Sequence, residues 1–299
     1  MDYPKNIMEF EKRFATEQDC RKYVFDLRYP SGFLCPDCGA ASFWYIRRHT
    51  YRCQACKKDC SILAGTIFQD SHTPLAVWFR AIWYVVAQKQ GTSALSLKQV
   101  LGLGSYQTAW TMLHKLRRAM VRPGREKLSG LIEVDETYVG GIRQGGKRGR
   151  GSENKILVAI AVEVNDKKIG RVRFKVIDDA SSESLHGFVE EVAEKNSTII
   201  TDGWNGYNGL SAKGYLQEVS EKQEDNTLLP HVHTTVSLLK RWILGTLQGS
   251  CSKEHLSYYL DEYTFRYNRR KSKSRGLLFM RLLENAVQLE TTTYKQLIS

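Results

Sequence analysis

Two acidic positions in the middle of the chain have the residue types and spacing that metal-dependent chemistry requires. In residues 131–141, LIEVDETYVGG, apolar residues alternate with Glu133 and Asp135, so both carboxylates project from one side of an extended strand. Asp202 follows the β-branched run 198–201 and stands at the carboxyl end of a second strand, where open α/β sheets place ligand sites. If the strands are neighbours, Asp135 and Asp202 share a divalent-metal site for phosphoryl chemistry. The alternative is an edge strand with solvated acids.

Five of the seven cysteines crowd into a short N-terminal stretch. Cys35-Pro-Asp-Cys38 and Cys53-Gln-Ala-Cys56 flank an aromatic and basic segment, and two tight turns with this spacing present four thiolates at the corners of a tetrahedron. The pattern predicts a zinc ribbon that binds one structural Zn²⁺, rather than four unconnected thiols or disulfides. Cys60 follows too closely to complete the pattern and is predicted to be a buried or spare thiol.

The patterns around the two acids predict the sheet that positions them. Strands at 155–164 and 169–177 follow the strand of Asp135; a helix at 181–195, the strand that ends at Asp202 and a short strand near 215–219 come next. This is the order of an RNase H-like domain, an α/β fold with a mixed sheet and flanking helices. Its first and fourth strands lie side by side, which would bring Asp135 beside Asp202.

The segment between the ribbon and this domain predicts helices at 75–88, 93–100 and 105–120, with a glycine turn between the last two. A short helix, a glycine turn and a polar, basic helix form a helix-turn-helix, whose last helix enters a DNA major groove. The residues that suggest this contact are Tyr106, Gln107, Thr108, His114, Lys115, Arg117 and Arg118. A helical linker with a solvated basic face is the alternative.

The charge balance supports a nucleic-acid partner. The 299 residues include 44 Lys and Arg against 32 Asp and Glu, a net charge of +12. The glycine-rich basic segment 140–151 lacks the Gly-Lys-Ser/Thr ending of a phosphate loop and is predicted to drape over a phosphate backbone, or else to be an inert hairpin tip. We find no signal-peptide pattern and no uncharged membrane span, and we expect a soluble, cytoplasmic protein without a membrane partner.

Four segments in order, LIEVDETYVGG, TDGWNGY, LPHVHTTVSLLKRWILGT and HLSYYLDEYTFRYNRR, closely resemble bacterial insertion-sequence transposases that join an N-terminal zinc ribbon to a DDE-type RNase H-like domain. The resemblance extends from about residue 15 to 285. It implies that Asp135 and Asp202 are the first two catalytic acids. Relatives carry Glu, Asn or His at the third position, seven residues before a lysine, and these positions are His233 and Lys240 here.

The resemblance thus implies an Asp-Asp-His site with Lys240 as a phosphate contact. Imidazole is neutral and softer than a carboxylate, so it suits magnesium less well. Glu224, Asp225 and His231 are the alternatives for the third position, and we expect His231 to be structural. Lys240 is predicted on a helix that begins near Thr234.

The implied function is transposition. Such a protein binds the terminal inverted repeats of its element through the ribbon and helix-turn-helix, then cuts and joins strands with two Mg²⁺ or Mn²⁺ ions. It would act on double-stranded DNA, both element ends and target, as a homo-oligomer, associated with the bacterial nucleoid when bound. Two alternatives stay open, namely a catalytically inactive zinc-ribbon DNA-binding regulator and another RNase H-like nuclease that acts on RNA hybrids or junctions.

The predicted domains are N-terminal helices and zinc ribbon at 1–68, a helix-turn-helix region at 69–128, the catalytic domain at 129–275 and a C-terminal helical tail at 276–299.

Overall fold

The computed structural model describes residues 3–122, 124–140, 155–220, 228–247, 251–290 and 292–298. The chain divides into two units, one of Met1–Arg122 with Ser272–Ser299 and one of Pro123–Lys271. The predicted ribbon, helix-turn-helix region and C-terminal tail lie in the first unit, and the second corresponds to the predicted catalytic domain. Nearly all of the glycine-rich loop, and the candidates Glu224 and Asp225, fall outside the described residues.

The N-terminal part of the first unit contains five helices and a small antiparallel sheet of order β1-β2-β3 in its described residues. Its elements are α1 (Ile7–Arg13), α2 (Glu17–Arg28), β1 (Phe43–Arg47), β2 (Thr50–Cys53), β3 (Asp59–Ser61), α3 (Leu75–Ala87), α4 (Ala94–Leu101) and α5 (Tyr106–Ala119). Helix α2 begins with a capping box, in which the Thr16 hydroxyl and the Asp19 carboxylate each accept the other's backbone N–H. Helix α3 is capped from a distance, because Glu17 accepts the backbone N–H groups of Leu75 and Ala76, both at 2.9 Å.

Helices α4 and α5 are joined through Gly102, whose φ of 62° lies in the left-handed region that glycine tolerates. This agrees with the predicted helix, glycine turn and helix. Three of the residues that suggested a DNA contact, His114, Lys115 and Arg117, are buried, so that prediction and the alternative of a solvated basic face are both wrong for them. Lys115 Nζ donates to the backbone oxygen of Ile67 at 3.0 Å, and such a contact lets the aliphatic stem pack in the core. Tyr106 and Gln107 at the start of α5 are exposed.

The second unit has a five-stranded mixed sheet of order β6-β5-β4-β7-β8 in its described residues. Its elements are β4 (Leu131–Val139), β5 (Ile156–Asn165), β6 (Lys168–Ile177), α6 (Ser182–Val192), β7 (Thr198–Thr201), β8 (Leu216–Val219), α7 (Pro230–Leu247) and α8 (Lys253–Asn268). Strands β4, β5 and β6 pair antiparallel, whereas β4, β7 and β8 pair parallel. The predicted RNase H-like order, with the first and fourth strands adjacent, is confirmed.

The two faces of this sheet are covered by different helices, and strand alternation in β4 sorts its side chains between them. Ile132 and Val134 point into the core that α6 covers. Val139 lies in the other core, which the apolar residues of α7 and α8 cover. Glu133 and Asp135 share the face of Val139, so both acids lie on the side of the sheet where α7 packs.

The chain then returns to the first unit with α9 (Arg275–Gln288) and α10 (Tyr294–Ile298). Phe279 of α9 lies among N-terminal aromatic rings, with ring centroids 5.2 Å from Phe10 and 5.7 Å from Phe79. The C-terminal segment is therefore part of the core of the first unit. No helix in the described ranges has both the length and the apolar character needed to cross a membrane.

Candidate metal-dependent catalytic site

Asp135 and Asp202 reach the same level of the sheet through the pairing of β4 with β7. These parallel strands place Glu133 opposite Ile200, and the register extended by two residues places Asp135 opposite Asp202. Residues opposite each other in a sheet project to the same face. Both carboxylates line one cleft of about 480 Å³, so the structure brings the two predicted acids together.

The Asp135 carboxyl is mostly buried, with 18% of its side chain exposed. Burial raises the pKa of Asp135 to about 7, and the neighbouring acids Glu136 and Asp202 add to this, although the backbone N–H of Glu136 donates to Asp135 Oδ1 at 2.8 Å and opposes it. Asp202 is exposed and its Oδ1 accepts the backbone N–H of Trp204 at 2.9 Å. The protein therefore holds one acid in the cleft that is costly to ionise without a cation beside it.

Helix α7 brings Lys240 into this cleft and His233 next to Asp135. His233 Nε2 lies 3.7 Å from Asp135 Oδ2, and about half of the His233 side chain is exposed. Lys240 lines the cleft with the two acids. Seven residues are close to two helical turns, or about 10 Å, so both side chains lie on one face of α7. The helix begins at Pro230 rather than near Thr234, which places His233 in its first turn.

Sequence patterns did not single out Lys155, which also lines this cleft. Partial desolvation lowers the pKa of Lys240, and the positive charge of Lys155 lowers it further, so the two ammonium groups are close enough to repel. Strand pairing could have predicted this position of Lys155, because β5 runs antiparallel to β4 and pairs Ile156 with Val139. The residue before β5 must therefore lie near the end of β4 that follows Asp135. Lysines next to acids suit a substrate with an anionic group that contacts both the lysines and a cation held by the acids.

Of the alternatives for the third position, His231 contacts residues other than Asp135 and Asp202. Its Nδ1 lies 2.5 Å from Glu133 Oε1 and its Nε2 lies 3.2 Å from the backbone oxygen of Lys167. These contacts agree with the structural role expected of His231. Glu133, although two residues from Asp135, is also engaged by this histidine and by the start of α7. Neither residue lines the cleft.

The donors in and beside the cleft suit a hard divalent ion, since Asp135, Glu136 and Asp202 line the cleft and the imidazole of His233 lies next to Asp135. Asp135, Asp202 and His233 do not form a group with all ligand atoms within 4.8 Å of one another; within the described residues, only cysteine-containing groups of the ribbon do so. Burial is the main cause of the raised pKa of Asp135, and repulsion by the neighbouring acids Glu136 and Asp202 adds to it. A divalent ion would offset both costs, so the residues fit one.

The four predicted zinc ligands are much closer together. Cys35 and Cys56 have their Sγ atoms 3.7 Å apart, Cys38 and Cys53 have theirs 3.6 Å apart, and all four lie within 4.8 Å of one another. Tetrahedral zinc with bonds of about 2.3 Å separates its sulfurs by about 3.8 Å. Although burial opposes ionisation, backbone N–H groups lower the pKa of Cys35 to about 6, which favours the thiolate that zinc requires.

Cys60 lies next to this cluster as a buried thiol, as predicted. Burial and the neighbouring Cys35 raise its pKa to about 11, so it stays protonated at neutral pH.

Comparisons with known proteins match both regions of the chain in which these residues lie. Residues 127–268 match the ISXO2-like transposase domain, a DDE-type model, and residues 15–59 match the transposase zinc-ribbon domain. The chain is 25% identical over 281 residues to an uncharacterized protein in transposable element ISH50 of Halobacterium salinarum, covering 85% of this chain and 92% of that relative. A structure of a pre-cleavage Mos1 transpososome is 10% identical and aligns over 70% of this chain and 78% of its own, with a TM-score of 0.29 that supports no further conclusion.

Proposed function

This chain belongs to the insertion-sequence transposases that join a zinc ribbon to a DDE-type catalytic domain, and we propose that it binds the terminal inverted repeats of its element and cuts and joins DNA strands with divalent ions. The observation that carries the proposal is that Asp135 and Asp202 line one cleft with Lys240, with His233 next to Asp135. Acids gathered beside lysines in a cleft favour metal-dependent phosphoryl chemistry over DNA binding alone.

The two aspartates, His233 and the two lysines each have a part in the proposed phosphoryl transfer. Asp135 and Asp202 would hold the ions, and His233 would complete the ligand set beside Asp135. When bound, two divalent ions supply neutralisation of the charge on the phosphate and activation of the attacking hydroxyl, from water in cleavage and from a DNA 3′ end in strand transfer. Lys240 and Lys155 would contact phosphate oxygens and align the scissile bond for in-line displacement.

The DNA itself would be recognised by the first unit. Exposed aromatic and basic residues lie on the ribbon, among them Trp44, Tyr45 and Arg47, and the start of α5 exposes Tyr106 and Gln107. Two element ends must be cut together, so we extend the proposal to at least a homodimer on DNA. The protein would act at the nucleoid in the cytoplasm, where its DNA substrate lies.

The proposal is tested by incubating the protein with a labelled duplex that spans the boundary between the element and its flank, with Mg²⁺ or Mn²⁺. We expect strand breaks at the boundary and joining of the new 3′ ends to a target plasmid. An inactive regulator would bind the same duplex and leave it intact with either ion. Another RNase H-like nuclease would cut without regard to the boundary, or would cut an RNA–DNA hybrid instead.

The third ligand gives a prediction about metal preference. His233→Ala should reduce cleavage by more than the roughly 10- to 100-fold that loss of a residue behind a metal ligand costs. His233→Glu should keep measurable activity and shift the preference from Mn²⁺ toward Mg²⁺, because a hard oxygen donor replaces the imidazole. The measurement is the initial cleavage rate of each variant over a range of Mg²⁺ concentrations and, separately, of Mn²⁺ concentrations.

His231→Ala is the matched control, since it removes an imidazole from the same turn of α7 whose partner is Glu133 rather than Asp135. It should lose much less activity. Wild-type cleavage by His233→Ala would place the third ligand elsewhere, with Glu224 or Asp225 as the next candidates.

A further inference from the structure

Glu133 is a buried acid whose side chain forms hydrogen bonds with the first turn of α7. Only 5% of its surface is exposed. Its Oε2 accepts the backbone N–H groups of His231 at 3.0 Å and Val232 at 2.9 Å, and its Oε1 lies 2.5 Å from His231 Nδ1. Both carboxylate oxygens are therefore engaged by one helical turn.

These partners explain how a carboxylate is tolerated at this depth. The first N–H groups of a helix have no acceptor within the helix, and the helix dipole places partial positive charge there. Charge-assisted hydrogen bonds of this type are about twice as strong as neutral ones. Glu133 thus caps α7 from a strand far away in sequence, and His231 extends the contact to Lys167, whose backbone oxygen lies 3.2 Å from its Nε2.

The same face of β4 carries the catalytic acid. Glu133 and Asp135 are two strand positions apart, about 7 Å along the strand. Glu133 holds residues 231 and 232 of α7, and Asp135 faces residue 233, with His233 Nε2 at 3.7 Å from its Oδ2. Strand and helix thus meet at two consecutive points, through hydrogen bonds at Glu133 and a close approach at Asp135.

We propose that Glu133 is a positioning residue that sets the rotation and depth of the first turn of α7, and so places His233 beside Asp135 in the divalent-metal site. Lys240 lies on the same face of α7 and is positioned with His233. The inference rests on the proposed function. It also separates Glu133 from the metal ligands, because its Oε2 accepts two backbone N–H groups and its Oε1 is engaged by His231.

The test compares Glu133→Ala, Glu133→Gln and Glu163→Gln. The amide of Glu133→Gln keeps an oxygen that can accept the two backbone N–H groups, whereas alanine leaves them without an acceptor. Glu163 is the matched control, because it is an acid of β5 with the same 5% exposure, but its partner is Arg171 at 2.7 Å. Its loss should destabilise the second unit without affecting α7.

Three quantities are measured for each variant. They are the cleavage rate at saturating end DNA, the Mn²⁺ concentration for half-maximal cleavage, and amide hydrogen exchange of a peptide covering 229–236 in metal-free protein. We expect Glu133→Ala to slow cleavage about 10- to 100-fold, as for residues that orient metal ligands. It should also raise the half-activating Mn²⁺ concentration and speed exchange of the peptide. DNA affinity should stay within about threefold.

Glu133→Gln should recover most of the rate and protection, and Glu163→Gln should leave all three quantities unchanged while lowering Tm. General destabilisation reduces the fraction of active protein but does not change the Mn²⁺ requirement of the folded fraction, so that requirement distinguishes positioning from stability. The inference is overturned if Glu133→Ala behaves like Glu163→Gln, or if Glu133→Gln is as inactive as Glu133→Ala. If wild type itself fails to cut element ends, the proposed function fails, and the exchange experiment still reports on the helix contact.

Discussion

Asp135→Asn and Asp202→Asn should each abolish cleavage of element ends while binding to those ends persists. Asparagine has nearly the same shape as aspartate but loses the negative charge that holds a divalent ion. Metal ions contribute several kcal/mol to stabilising a phosphoryl-transfer transition state, so the rate should fall on the order of 1,000-fold or more. Single-turnover cleavage and a gel-shift titration with the same labelled duplex measure the two effects separately. Equal loss of binding and cleavage would show that the acids are structural.

Asp135 gives a second signature that does not depend on activity. Burial raises its pKa from 3.8 to about 7, so the folded state binds its proton more tightly than the unfolded state does. A raised carboxyl pKa means that stability falls as pH rises from about 4 to about 7, and the full penalty applies above that range. Asp135→Asn removes this penalty. In metal-free protein at pH 8 its Tm should exceed that of wild type, and added Mn²⁺ should raise the Tm of wild type only.

The control for both measurements is Asp166→Asn. Asp166 is an exposed residue of the β5–β6 turn with a φ of 48°, a left-handed conformation that asparagine accepts as readily as aspartate. Its cleavage rate and Tm should match wild type. A lower Tm for metal-free Asp135→Asn would contradict the assignment of Asp135 as a buried acid that awaits a cation.

Loss of zinc should have the largest effect on folding. We expect one zinc per chain in the purified protein, and Cys38→Ser should lose it and unfold the ribbon. Structural zinc in small domains binds with roughly 10–16 kcal/mol, and this binding energy substitutes for the hydrophobic core that such a short segment lacks. Elemental analysis gives the stoichiometry, and hydrogen exchange of peptides within 33–61 gives the folding state.

Cys60→Ser is the control, because Cys60 is a buried cysteine beside the cluster but outside the four predicted ligands. It should retain zinc. Purified protein without zinc, with the four ribbon cysteines in disulfides, would refute the prediction. Loss of zinc in Cys60→Ser equal to that in Cys38→Ser would show that the ligand set is misassigned.

The periodicity of the chain was enough to predict most of the second unit. Strand alternation in LIEVDETYVGG places Ile132 and Val134 on one face and Asp135 on the other, whatever the rest of the protein does. The order of strands and helices then leaves few topologies, and the RNase H-like one was confirmed. The zinc ribbon could be predicted equally well from the sequence, since the spacing of the two CxxC motifs constrains the positions of four sulfur atoms.

Contacts between distant segments decided the rest. Lys115 is a basic residue on a helix of the type that binds DNA. In the structure its side chain is buried, and its ammonium group donates a hydrogen bond to the backbone oxygen of Ile67. Lys155 enters the cleft only because β5 turns back along β4.

Glu133 is the clearest case, because the alternation that places Asp135 in the cleft also makes Glu133 look like a second ligand. The arrival of α7 makes it a helix cap instead. Local sequence specifies which face a side chain occupies, since that follows from backbone geometry. Which residues contact that side chain depends on a segment nearly a hundred residues away in sequence, and no local sequence pattern predicts such a contact.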